Sequence, residues 1–294
     1  MEHKAGYVAL TGRPNAGKST LMNLLIGEKL SIVTPKAQTT RHRILGIYST
    51  PDCQIVFSDT PGIVEVAYEL HRSMMAAVMS SLHDADVVLY LVDVTAGRSK
   101  AEDEIIRKIK QAGLPVVVAL NKCDLVSSEQ IEIKKTEWKE LFPGAAIHAI
   151  SALKATGIND LLNHIISLLP VHPPYYDKDE LTDRNLRFIA SEIIREKIFL
   201  FYQQEIPYSC HVEIISFKED PDMVRIAAVI HVARESQKGI LIGKKGSAIK
   251  KVGTEARKEI ERWTGRQVFL DLSVKVTPNW RDMQSHLRAF GYEA

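Results

Sequence analysis

Residues 12–19 read Gly-Arg-Pro-Asn-Ala-Gly-Lys-Ser and follow directly on an apolar run at 7–10. The octet fits G-x-x-x-x-G-K-[ST], a loop that cradles phosphate, and the residues after it, 20–26, are those of a helix. A strand ending in a glycine-rich turn that opens a helix aims backbone N–H groups and the helix's positive end at one point. That junction restricts the fold to a helix-covered sheet, and it predicts a nucleoside triphosphate as ligand. Asn15, Ala16, Gly17, Lys18, Ser19 and Thr20 form the expected cradle. Lys18 reaches the β- and γ-phosphates, and the Ser19 hydroxyl ligates Mg²⁺.

The rest of the first half has the alternation such a sheet needs. Short β-rich runs at 7–10, 44–48, 54–58, 87–92, 116–120 and 146–150 are interleaved with amphipathic stretches at 70–82, 101–111, 128–142 and 158–169. This pattern predicts an α/β fold, a mostly parallel sheet with helices on both faces. Only residues 49–53 separate the second and third runs, too short for a crossover helix, so that pair is expected to be an antiparallel hairpin.

Three prolines at 170, 173 and 174 end the pattern, and the acidic stretch to Asp183 reads as a solvated linker. Beyond it a helix at 185–205 precedes strands at 209–217 and 224–232. A Gly/Lys segment with a helix, a strand at 268–275 and a last helix follow. The order αββααβ does not extend the first sheet and predicts a separate α+β domain. The expected division is 1–172, a linker at 173–184, and 185–294, in line with the two-domain prior for 294 residues. Charge divides similarly: residues 1–172 carry 18 Lys/Arg and 18 Asp/Glu, whereas 238–288 carry 12 against 5. A basic face of that kind suits either a solvated surface or nucleic acid.

The three cysteines, Cys53, Cys123 and Cys210, show neither metal spacing nor pairing and fit a reducing cytosol. Residues 1–4 lead straight into the first strand, leaving no room for a targeting peptide. No apolar run nears the ~20 residues of a spanning helix, so membrane contact is expected to be peripheral.

Asn121-Lys122-Cys123-Asp124 follows the strand at 116–120 and selects the base. The Asp124 carboxylate accepts from guanine N1–H and N2–H₂, a donor pair adenine lacks. Asn121 is placed to bridge base and phosphate loop, and the Lys122 stem to cover the ring. Ser151-Ala152-Leu153 ends the next strand, with the Ala152 N–H facing guanine O6. Asp59-Thr60-Pro61-Gly62 closes the hairpin: Asp59 is expected to hold Mg²⁺ through water and the Gly62 N–H to sense the γ-phosphate. A second Mg²⁺ hydroxyl must come from the loop before residue 44, where Thr40 is preferred to Thr39. The expected metal set is Ser19, Thr40 and Asp59.

Where many such domains carry a water-orienting glutamine after D-x-x-G, this chain has Ile63, which orients nothing. Catalysis then falls to Lys18, Thr40, the Gly62 backbone, the metal and an added cation. Asn15 resembles an asparagine that binds K⁺ in some GTPases; the other reading is that it only tolerates tight loop geometry. Slow GTP hydrolysis, faster in potassium than in sodium, is the expectation.

In the second domain Gly243-Lys244-Lys245-Gly246 fits G-x-x-G, the clamp of a KH domain. Glycines let a sugar–phosphate backbone approach, Lys244, Lys245 and Lys250 neutralise phosphate, and Ile240 and Ile242 floor unstacked bases. Single-stranded RNA is the expected ligand. Ile249, Gly253, Ala256, Ile260 and Trp263 recur at helical spacing and read as a core stripe.

The combination of R-P-N-A-G-K-S-T, K-A-Q-T-T-R-H-R, D-T-P-G, N-K-C-D and I-G-K-K-G-S-A-I-K-K resembles the Era family of bacterial GTPases over essentially the whole chain. The resemblance implies a P-loop GTPase domain followed by a type II KH domain, with GTP/GDP and Mg²⁺ as cofactors. It also implies a factor in small ribosomal subunit maturation that binds the 3′ region of small-subunit ribosomal RNA. The expected protein is a cytoplasmic monomer with peripheral association to the inner membrane. An alternative is a GTPase whose basic domain recruits a protein partner or anionic lipid.

Overall fold

In the computed structural model, which describes residues 2–292, the phosphate loop lies near the middle of a six-stranded sheet. Its strands are β1 (Lys4–Gly12), β2 (Ile44–Ser49), β3 (Cys53–Asp59), β4 (Val87–Asp93), β5 (Val116–Asn121) and β6 (Ala146–Ala149), in the order β2-β3-β1-β4-β5-β6. All neighbours are parallel except β2 and β3, whose hairpin pairs Ile47 with Val56 and Tyr48 with Ile55. The chain turns to opposite sides of β1 to build β3 and β4, and ligands of open α/β sheets bind outside such a switch point.

The side-chain alternation of a strand explains why both sheet faces are covered. Val8 and Leu10 face one core with Phe57, Leu89 and Ala119, under α1 (Lys18–Ile26) and α5 (Ile158–Leu168). Ala9 faces the other with Val88, Tyr90 and Leu120, under α2 (Glu69–His83), α3 (Lys100–Ala112) and α4 (Ser128–Leu141). Strands so enclosed read as unbroken apolar runs.

The second sheet holds β7 (His211–Glu219), β8 (Met223–Val232) and β9 (Gln267–Val276). β7 and β8 are antiparallel, β8 and β9 parallel. Before it come α6 (Leu186–Phe201) and a single turn, α7 (Ile206–Ser209); between β8 and β9 come α8 (Glu235–Ile242) and α9 (Ser247–Thr264); α10 (Gln284–Ala289) closes the chain. Ile193, Ile194, Ile198, Val224, Ile226, Ala256 and Ile260 share its core. This is the α/β fold with a following α+β KH unit that the sequence pattern predicts. Expectations for Met1, Glu293 and Ala294 lie outside the described residues.

Three local expectations are corrected. The helix expected at 185–205 stops at Phe201, and Ser209 lies in α7 rather than in a strand, because Pro207 starts a fresh helical turn. The stripe on α9 is fully buried at Ala256 and Ile260, with Ile249 and Trp263 partly buried against the same core, but Ile249 and Gly253 also line an open groove. The stretch read as a solvated linker is tied down through its backbone. Tyr175 and Tyr176 N–H donate to the fully buried Gln54 Oε1 at 2.7 and 3.0 Å, and Ile47 N–H donates to Leu181 O at 2.9 Å. Its side chains remain largely in water while its main chain extends the hydrogen bonding of the sheet edge.

Candidate functional site: a nucleotide cavity and a basic groove

At the carboxyl end of β1 a cavity of about 390 Å³ brings together residues from five chain segments. Its floor is the 12–19 loop. Gly17 has φ 99°, and a β-carbon there would meet the Asn121 side chain at 2.3 Å, so only glycine fits. Gly17 also heads α1 without any side-chain cap, which leaves the helix's first N–H groups available to an anion. Lys18 Nζ donates to Gly12 O and Arg13 O at 3.1 and 3.0 Å and is buried. Burial lowers its pKa to about 8 against the opposing charges of Asp59 and Glu102. A buried ammonium held by carbonyls alone is a site awaiting an anion.

Ser19, Thr40 and Asp59 converge. Ser19 Oγ lies 2.9 Å from Thr40 Oγ1 and donates to Asp59 Oδ2 at 2.6 Å. Asp59 is fully buried, its Oδ1 has no partner, and burial pushes its pKa up despite Lys18. Two hydroxyls and an under-satisfied carboxylate are the oxygen donors a divalent cation takes. The two threonines differ in surroundings: Thr39 Oγ1 is engaged within its own loop, at 2.7 Å from Thr34 Oγ1 and 2.8 Å from Lys36 O.

On the phosphate side Ile63 N–H donates to Gly12 O at 3.1 Å, and a β-carbon on Gly62 would lie 2.5 Å from Pro14 N. The Ile63 side chain turns away into the core under α2 and α3. Asn15 Nδ2 donates to Pro35 O at 3.0 Å, linking the phosphate loop to the 30–43 loop.

At the base end Asn121 is buried and bridges the site, its amide donating to Ala16 O at 2.7 Å and its Oδ1 accepting from Ala152 N–H at 2.9 Å. Lys122 has φ 67° and pairs with Asp93 at 2.6 Å. Asp124, Ser151, Ala152 and Leu153 line the same wall, Leu153 being 78% exposed. Thr20 lies at the floor. The sequence reading did not assign Ile32, Val33, Thr34, Pro35, Gln38 and Leu125, which also line it. Gln38, inside the K-A-Q-T-T-R-H-R run, and Leu125, one residue past the N-K-x-D tetrapeptide, had a local signal.

The 30–43 loop also reaches the second unit. Arg41 is buried and donates to Cys210 O at 2.7 Å, Pro207 O at 3.0 Å and Tyr208 O at 3.1 Å. Lys36 Nζ donates to Phe199 O and Tyr202 O at the carboxyl end of α6. Lys29 pairs with Glu196 and Glu259 at 2.7 and 2.6 Å. On α2, Leu70 and Met74 pack on Trp280 and Leu287, and Leu70 N–H donates to Arg281 O at 2.9 Å.

In the second unit Gly243–Gly246 forms a tight connection between α8 and α9, with Lys245 at φ 52°. Lys244, Lys245 and Lys250 are exposed, Ile242 is half-buried, and Ile240 is 52% exposed. Beside this loop runs a groove of about 260 Å³ between α9 and β9. Ile249, Leu270 and Leu272 form its apolar floor, Lys250 and Arg257 its basic rim. Gly253 keeps the groove open, since even a β-carbon there would touch Leu272 at 3.3 Å. Leu270 and Leu272 alternate along β9, the sequence signal that would have identified them.

Comparison with known proteins agrees with both units. Residues 7–122 match the family described as 50S ribosome-binding GTPase, and 205–281 match the KH domain. GTPase Era of Geotalea uraniireducens is 44% identical over 293 residues, covering 99% of each chain. GTPase Era of Thermotoga petrophila is 44% identical over 284 residues, 96% of this chain and 95% of its own. A crystal structure of Era in complex with MgGDPNP and nucleotides 1506–1542 of 16S ribosomal RNA superimposes with a TM-score of 0.96 at 42% identity, covering 99% of this chain and 100% of that one. An Aquifex aeolicus Era bound to GDP·AlF4⁻ gives 0.95 at 41% identity over 99% of this chain and all of its own. By fold, by both sites and by full-length similarity, this chain belongs to the Era family of GTPases.

Proposed function

We propose that the protein is a GTP-operated RNA-binding switch of small ribosomal subunit assembly. It binds Mg²⁺·GTP in the cavity around Lys18 and the 3′ region of small-subunit ribosomal RNA in the groove beside Gly243–Gly246. The observation that carries this reading is the joint one: a phosphate-and-cation site and a basic-rimmed apolar groove in one chain, matching along its length a relative solved with MgGDPNP and 16S ribosomal RNA.

In this reading Asn15, Ala16, Gly17, Lys18, Ser19 and Thr20 hold the phosphates, and Lys18 neutralises charge that builds on the γ-phosphoryl oxygens. Ser19 and Thr40 would contribute hydroxyls and Asp59, through water, a carboxylate to Mg²⁺, which would supply electrophilic charge at the bound phosphates. Gly62 offers its N–H to the γ-phosphate. Asp124 reads guanine N1–H and N2–H₂, and Ala152 N–H reads O6, with Lys122 and Leu153 flanking the ring and Ser151 shaping the turn. Ile63 lies in the core, so no side chain from that position orients water and turnover is slow. Asn15, whose amide N–H donates to Pro35 O, would offer its side-chain oxygen to K⁺. The mostly exposed Lys244, Lys245 and Lys250, with Ile240 and Ile242, clamp single-stranded RNA. The protein acts as a cytoplasmic monomer, with any membrane contact peripheral; among the described residues no helix is long and apolar enough to cross a bilayer.

The test is filter binding of the full-length protein, loaded with a non-hydrolysable GTP analogue, to single-stranded RNA from the small-subunit 3′ end. Gly243→Asp/Gly246→Asp, checked for an unchanged circular dichroism spectrum, is expected to lose binding by about a hundredfold or more, since two carboxylates face the phosphate path. Unchanged affinity would rule out the groove as the RNA site.

A further inference from the structure

Away from both sites, a cleft of about 250 Å³ opens where the 30–43 loop, the start of α6, β7 and the segment after α10 meet. Arg184, Arg187 and Arg195 line it, with His42 and His211. Arg195 is 1% exposed. Its Nε and Nη2 grip Glu192 at 2.8 and 2.5 Å, while its Nη1 is buried with no partner among the described residues. Arg184 pairs with Asp183 at 3.5 Å and donates through Nη2 to Arg43 O, while its buried Nε makes no hydrogen bond among the described residues. Arg187 spends Nε and Nη2 on the Ile214 and Ile215 carbonyls and keeps Nη1.

The carboxylates of the cleft are already committed. Glu192 is taken by Arg195, and Glu213 by His231 Nε2 at 2.8 Å. His42 is pushed down to about 4 chiefly by burial, with Arg195, Arg184 and Arg41 adding to it against Glu192. His211 is lowered the same way, by burial and then by His42 and Arg41. Both rings are therefore neutral in a field of unbalanced positive charge. The cleft further includes Asn185, the N-cap of the 16-residue α6, so the positive end of a helix adds to that field. Leaving a buried guanidinium N–H without an acceptor is costly, and an anion removes the cost.

We propose that this cleft binds a small phosphate oxyanion. Three guanidinium groups line it, Arg184 from the segment leading into α6 and Arg187 and Arg195 from α6 itself, and a tetrahedral oxyanion presents enough acceptors to meet them together. The anion comes either free, as inorganic phosphate, or as one phosphate of an RNA backbone.

The experiment uses the full chain saturated with a non-hydrolysable GTP analogue and Mg²⁺, so that the nucleotide cavity is occupied. Inorganic phosphate is titrated calorimetrically at constant ionic strength against a chloride control. Expected is saturable binding that weakens by about tenfold or more in Arg184→Gln/Arg187→Gln. Arg225→Gln, which alters an exposed arginine paired with Asp220, should bind like the parent. Rim arginines are chosen because a change at Arg195 would strand Glu192 in the core; matched thermal melts confirm that the double variant folds. If free phosphate gives no saturable heat but single-stranded RNA binds the double variant about tenfold or more weakly, the oxyanion is a backbone phosphate. Phosphate binding equal in parent and double variant, or no phosphate binding together with unchanged RNA affinity, overturns the proposal.

Discussion

Arg41 donates to the carbonyl of Cys210 at 2.7 Å, so the residue next to Thr40 is anchored in the KH unit. The loop that offers a hydroxyl toward Ser19 and Asp59 is thereby hydrogen-bonded to both halves of the molecule. Any nucleotide-dependent movement of Thr40 must pull on, or release, the turn at 207–210.

Arg41→Ala should expose that coupling. It removes charge-assisted bonds to Pro207, Tyr208 and Cys210 carbonyls and the guanidinium near the Phe199 and Trp280 rings. A loss of about 2–4 kcal/mol is expected in the urea unfolding of the interface, since the carbonyls are left buried and unmet. The ratio of RNA affinities in the GTP-analogue and GDP states should move toward one. A variant with the parent's urea profile and the parent's ratio would show that the contact carries no coupling.

Asp124→Asn should exchange guanine for xanthine preference. The amide no longer accepts from both N1–H and N2–H₂, so competition with a fluorescent guanine nucleotide should show GTP weakened by roughly a hundredfold or more, and XTP gaining. Parent-like GTP affinity would remove Asp124 from base recognition.

Turnover measured at equal ionic strength is expected to be faster in potassium chloride than in sodium chloride. Asn15→Ala should erase the difference while leaving GTP affinity within about a few fold, because the cradle N–H groups persist. Identical rates in the two salts with the parent protein would take Asn15 out of the mechanism.

Lys18 sets a pH dependence with a definite sign. Burial lowers its pKa from 10.5 to about 8, so between those values the unfolded chain keeps a proton that the folded chain has released. Stability of the nucleotide-free protein therefore rises with pH across that window, and below about pH 8 it carries the cost of a buried charge. Bound phosphates favour the charged form, so GTP binding above about pH 8 must take up a proton. Calorimetry in buffers of different ionisation enthalpy should give uptake approaching one proton at about pH 9 and near none at about pH 7. Lys18→Arg should show none at either pH.

The local signals were readable for local reasons. The phosphate loop, D-T-P-G and N-K-C-D each sit within a few residues at a strand end, where spacing alone dictates which atoms face outward. Short apolar runs likewise identified β1, β3, β4 and β5, because a strand enclosed on both faces reads that way, and the short connection at 49–53 identified the hairpin. The stretch 173–184 reads as solvated because its side chains are polar and exposed, but its attachment was not legible, since it runs through main-chain bonds to Gln54 and Ile47 that leave no mark in composition. The groove at Ile249 and Gly253 was not legible for a related reason. Helical periodicity shows that they share a face with Ala256, but not that β9 stands off far enough there to leave a groove.

By itself the sequence determined the class of chemistry, a GTPase domain and a KH unit, and its motifs assign a triphosphate to Lys18, guanine to Asp124, a metal to Ser19 and nucleic acid to the G-x-x-G loop as expectations. Those assignments rest on residue type and short spacing, which survive any arrangement of the rest. Only the tertiary structure decided that the Thr40 hydroxyl, the one the sequence preferred, meets Ser19, and that Arg41 and Lys36 lock the nucleotide loop onto α6 and α7. Each of these joins residues far apart in the chain, and such pairings are set by the packing of whole elements, which no local pattern encodes.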